Sequence, residues 1–118
     1  MDQFDIRVDS STLSALYEDI GREGFAELAD VVRNDLRDIG ARLDAAIAAQ
    51  DATDLRRALH KLAGILMQYG FGGIAARALH AEQSDDPAAL AAEAAAFSAI
   101  VPQALAAFNA ATDALMKP

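Results

Sequence analysis

The sequence predicts an all-α protein, an antiparallel up-down four-helix bundle with a short additional N-terminal helix. Three observations lead there. Apolar residues recur every three or four positions through four substantial stretches, as on one face of a helix. Hydrophobic residues make up 53% of the chain and aromatics only 6%, with alanine, a strong helix former of little bulk, supplying much of the rest. Glycine, proline and acidic residues gather in short breaks between the stretches, where helices end and begin. Helices joined by short loops hide their apolar faces most simply against one another. At 118 residues the chain is long enough for one core and too short for two, so residues 1–118 are expected to form a single domain.

In order, residues 1–9 read as an irregular arm whose alternating Phe4, Ile6 and Val8 lie along the bundle. Ser10 or Ser11 is the expected N-cap of a short helix carrying Leu13, Leu16, Tyr17 and Ile20, stopped at Gly21. A long helix from about Glu23 to Ala49 turns Phe25, Leu28, Val32, Leu36, Ile39 and Leu43 to one side. Asp30, Arg33, Arg37 and Asp44 fall on the other, as on a solvated face. Gly40 inside it costs on the order of 1 kcal/mol in helix propensity, best explained by close approach of a neighbouring helix. After Gln50-Asp51, Asp51 or Thr53 caps a helix running to Tyr69, and Gly70, Gly72 and Gly73 make the next turn. Ile74, Ala75, Ala78 and Leu79 continue on another helix to about Gln83. Ser84-Asp85-Asp86-Pro87 places an acidic cap before a proline in a first helical turn. The last helix is expected in two segments, 88–100 and 102–115, because Pro102 lacks an N–H and should bend or briefly break it.

The formal charge of −8, with no basic stripe, argues against nucleic acid and against anionic membrane surfaces. Without cysteine there is no disulfide framework, thiol nucleophile or thiolate metal site. The start, M-D-Q-F-D, does not read as a secretory signal, and no apolar run is expected to approach the roughly 18 residues that span a bilayer. A cytoplasmic location is the expectation. The polar outer sides of the helices point to a monomer rather than a self-associating bundle.

Function centres on the helix L-R-R-A-L-H-K-L-A-G-I-L-M-Q-Y, residues 55–69. At about 100° per residue, Leu55, Ala58, Leu59, Leu62, Leu66 and Tyr69 form one stripe, and His60 lies about 150° from its middle. Gly64 is one turn beyond His60, Met67 follows it, and Arg56 and Arg57 are one turn before. Neutral imidazole has one nitrogen able to attack an electrophile and another that holds a proton against an acceptor. Phosphoryl transfer to it needs an open path, which side-chain-free Gly64 leaves. It also needs positive charge, which Arg56, Arg57 and Lys61 provide in an otherwise acidic chain. Composition and spacing leave a plain surface histidine as the commoner reading. Acid–base catalysis finds no carboxylate at helical spacing from His60. A metal site would have only His80 as a second imidazole, and His80 suits the C-terminal end of its own helix. The glycines at 70–73 lack the lysine and strand of a phosphate-cradling loop. Met67, with Ala63 and Phe71, reads as an apolar docking rim around the imidazole.

A-L-H-K-L-A-G at residues 58–64, Gly70 ten positions after His60, Ile74-Ala75 and Glu82 together resemble the histidine-containing phosphotransfer (HPt) domains of phosphorelays. L-x-x-x-x-G-x-x-G-F over residues 16–25 and D-A-T-D-L-R-R-A-L-H also follow that family's layout. The resemblance covers roughly residues 10–84. It implies a stoichiometric phosphocarrier rather than a turnover enzyme. His60 would accept a phosphoryl group from the aspartate of a response-regulator receiver domain, or of a hybrid histidine kinase's receiver, and pass it to another. Gly64 would give access, with Lys61, Arg56 and Arg57 in support. No cofactor is implied for this chain, Mg²⁺ being expected in the receiver. The pattern departs at Ala63, where many relatives carry lysine, and an HPt-like docking module that binds a kinase or receiver without carrying phosphate is the alternative.

Overall fold

The computed structural model describes residues 6–117, and the first half of the N-terminal arm, with Phe4, lies outside them. Four α-helices follow one another: α1 (Ser10–Ala49), α2 (Ala52–Gln68), α3 (Gly72–Glu82) and α4 (Pro87–Met116). No strand occurs among the described residues. The most extensive packing joins α2 to α3 and α1 to α4, with α2 also resting on α1. One core fills the space between them, with Phe25, Phe71, Phe97 and Phe108 among its largest fully buried side chains.

The predicted break at Gly21 is present inside α1, where that residue leaves helical geometry at φ 78°, ψ 175°. Residues on either side are helical, and Tyr17 meets Phe25 edge to face across the break, their ring centres 5.4 Å apart. The N-cap is Asp9 rather than Ser10 or Ser11. Its carboxylate accepts hydrogen bonds from the Ser11 amide (3.0 Å) and hydroxyl (2.6 Å), which hold its pKa below the usual carboxylate value. An acidic oxygen offers a stronger acceptor to the exposed amides of the first turn than a hydroxyl does. Asp51 and Asp86 cap α2 and α4 in the same way, taking the amides of Asp54 (3.1 Å) and Ala88 (3.0 Å). At Gly40 the expected close approach comes from α4: a Cβ there would sit 3.2 Å from a methyl of Val101.

Two expectations for the last helix are corrected. α4 runs through Pro102 as one helix. The missing N–H costs a single backbone bond, and Pro102 itself faces solvent, where a freed carbonyl can be hydrated. Buried Phe97, Val101, Ala104 and Phe108 on both sides of the proline hold one packing face in register. By length and composition α4 is also long and apolar enough to cross a membrane, contrary to the absence of any such run expected above. That character has two sources, the core residues on its inner face and alanines 92, 95, 99, 106 and 110 exposed on its outer one. The outer side of this helix is therefore not polar.

The α2–α3 connection fixes where the functional helix ends. Gly70 takes φ 96°, and the Phe71 amide reaches back to the Leu66 carbonyl at 2.8 Å, closing α2 with a left-handed glycine cap. The arm crosses this turn: the Asp9 amide donates to the Gly70 carbonyl at 2.7 Å, and Ile6 and Val8 pack half-buried against the core. A Cβ on Gly70 would lie 2.9 Å from the Asp9 carbonyl oxygen. Gly70→Ala thus combines a positive-φ penalty of about 1–2 kcal/mol with a backbone collision of similar size. A loss of about 3 kcal/mol in chemical denaturation is expected, and an unchanged midpoint would refute this account of the turn.

Candidate functional site

α2 carries its apolar stripe inward, with Leu55, Ala58, Leu59, Leu62 and Leu66 buried. The same period turns His60 outward, and its side chain is 71% exposed. Imidazole Nδ1 lies 2.8 Å from Glu82 Oε1 on the last turn of α3. An ionised carboxylate only accepts, so the neutral ring that fits this contact donates Nδ1–H and keeps its lone pair on Nε2. Glu82 is itself 19% exposed, so its grip on the ring is stiffer than that of a surface carboxylate. This side chain was not given a role from the sequence. It stands 22 positions from His60, beyond any helical spacing, and only the α2–α3 hairpin brings the two together.

Gly64 stands one turn on, exposed, and a Cβ built there meets nothing within 4 Å. The approach to the ring is open on that side. Met67, one turn further, is 51% exposed. The predicted docking rim is otherwise corrected, because Ala63 and Phe71 are each only 1% exposed. α3 packs on α2, and the His60–Glu82 and Arg56–Ser84 contacts put it on the flank that also carries Ala63, widening the buried face beyond the apolar stripe. Phe71 follows the glycine cap, the position at which such caps fold an apolar side chain back onto the helix they end.

The three basic residues have separate fates. Arg56 is half-buried, and its Nη2 donates to the Ser84 carbonyl at 2.9 Å, tying α2 to the α3–α4 connection. Arg57 and Lys61 are exposed. Asp54, the carboxylate one turn before Arg57, is paired with Arg42 at 3.0 Å. His80 lies in the last turn of α3, and no group of three or more potential metal ligands forms among the described residues.

An exposed imidazole with one nitrogen held by a carboxylate, the other free, and a bare glycine beside it is suited to carry a group transferred to nitrogen. No curated protein and no solved structure matches the chain closely. The family model described as "Hpt domain" matches residues 27–115, which include α2 with His60, all of α3 and nearly all of α4. With most of its length matched and its histidine presented in this manner, the chain belongs to the Hpt-domain family, carrier modules of phosphorelay histidine phosphotransfer.

Proposed function

We propose that His60 is the phospho-accepting residue of a multistep phosphorelay carrier, built as an antiparallel up-down bundle and working in the cytoplasm. The observation that carries this reading is the pairing of Nδ1 with Glu82 on an exposed ring, with open space at Gly64 one turn away. In the forward step Nε2 attacks the phosphorus of a receiver's aspartyl phosphate. The Nε2–P bond forms, the P–O bond breaks, and the aspartate leaves as carboxylate. The proton stays on Nδ1, and Glu82 offsets the positive charge that develops on the ring. Reversal onto a second receiver returns a neutral imidazole with its proton where it began. Mg²⁺ and the remaining catalytic groups belong to the receiver. A hybrid histidine kinase is the other partner to which this chemistry fits.

Incubation with a phosphorylated receiver domain and Mg²⁺ should give an acid-labile, base-stable phosphoprotein. No label from any receiver of the source organism would defeat the reading. Receiver binding without label would instead favour a docking module, for which the missing basic side chain at Ala63 and the exposed Met67 speak.

Glu82→Ala should slow transfer about ten-fold, the equivalent of roughly 1.4 kcal/mol, in line with losing one charge-assisted hydrogen bond. Glu82→Gln keeps an oxygen that can accept from Nδ1–H, so a smaller loss is expected. Nitrogen-15 spectra of the imidazole check the cause: the Nδ1–H tautomer should persist with glutamine and mix with the other with alanine. Equal rates in all three proteins would remove Glu82 from the mechanism.

A further inference from the structure

A phosphoryl group on His60 brings negative charge to a chain that already carries −8, so a local cation matters. Position 63 cannot provide it, since Ala63 is buried against the core. Gly64 has no side chain. Arg56 lies on the same flank of α2 as the α3 contact, and its guanidinium is engaged with the Ser84 carbonyl. Two exposed cations remain, Arg57 and Lys61.

Helix geometry separates them. Arg57 precedes His60 by three residues and lies about 60° round the axis, whereas Lys61 follows it at about 100°. Residues three apart are neighbours on a helix surface, whereas adjacent ones do not face each other, so Arg57 shares the His60 face and Lys61 does not. Arg57 is also on the flank opposite Glu82. The two nitrogens of an imidazole point in nearly opposite directions. With Nδ1 held by Glu82 on α3, Nε2 points away from that carboxylate. The nearest carboxylate at helical spacing, Asp54, already pairs with Arg42 and leaves that guanidinium without a competing anion on its own helix.

We propose that Arg57 is the cation facing the phosphoryl group in this protein, replacing the one that position 63 lacks, and that Arg56 serves the fold instead. The proposal rests on His60 being the phosphorylated residue. A planar guanidinium can give two parallel N–H bonds to phosphoryl oxygens, which an ammonium cannot.

Phosphoramidate tests this without any partner protein. Its P–N bond breaks as the Nε2–P bond forms, ammonia leaves, and the ring keeps its proton on Nδ1 against Glu82. Labelling of His60 is followed by intact mass and phosphorus-31 spectra for the wild type and for Arg57→Ala, Arg57→Lys, Lys61→Ala and Arg56→Ala. At low ionic strength Arg57→Ala should label about three- to five-fold more slowly, as expected for one exposed charge, and the gap should close toward 0.5 M salt, a level of about half-molar chosen for screening. Arg57→Lys should recover part of the rate and Lys61→Ala should stay within about two-fold of wild type. Arg56→Ala should lower thermal stability while labelling normally once folded, and Arg57→Ala should keep the wild-type melting temperature. Wild-type rates in Arg57→Ala, or a larger loss in Lys61→Ala, would overturn the assignment. A wild-type protein that takes no label at His60 would remove the phosphocarrier reading itself.

Discussion

His60→Gln is expected to abolish phosphorylation completely, both from a phosphorylated receiver and from phosphoramidate, while leaving the fold in place. The ring is exposed, and it pairs with Glu82. Surface replacements of this kind change stability by about 0.5 kcal/mol, so circular dichroism and the melting temperature should stay near wild type. His80, the only other histidine, supplies the control. His80→Gln should carry label as wild type does. Label retained in His60→Gln, or lost in His80→Gln, would place the carrier function elsewhere and withdraw the site described above.

Gly64 provides the second large effect, and it separates stability from transfer. The space beside it is open, so Gly64→Ala places a methyl in solvent at a helix position where glycine costs about 1 kcal/mol. That variant should melt higher than wild type. Gly64→Leu keeps the helix but sets a branched side chain across the path to Nε2. A displacement of about 1 Å between reacting atoms costs on the order of 100-fold, and a loss of that size is expected in transfer from a receiver. Phosphoramidate is much smaller than a receiver active site and should lose far less. A Gly64→Leu protein that exchanges phosphate with a receiver at the wild-type rate would show that access does not run past this residue.

Local period and local chemistry were enough to outline most of the fold. The outward position of His60 followed from Leu55, Leu59, Leu62 and Leu66 pointing inward, and the helix bore this out. Asp51 and Asp86 as caps, the stop at Gly21 and the close approach at Gly40 were likewise legible, because each depends on a residue's own backbone or on a single neighbour. The errors share a cause of the opposite kind. Ala63 is small and sits at the margin of the stripe, so its burial depended on which flank α3 would cover. Phe71, expected in the docking rim, is buried because the glycine cap turns the chain back at the end of α2. Pro102 carries a local instruction to break the helix, and packing on both sides of it prevailed.

By itself, the sequence determined the helical stretches, most of the breaks between them, the outward turn of one histidine and the glycine next to it, because helical spacing and capping act within a few residues. Tertiary structure alone decided that Glu82 holds Nδ1, that Arg56 is engaged while Arg57 stands free of it, and that the apolar rim narrows to Met67. Each of those depends on how α3 lies along α2, a relation between segments that no single helix's pattern encodes.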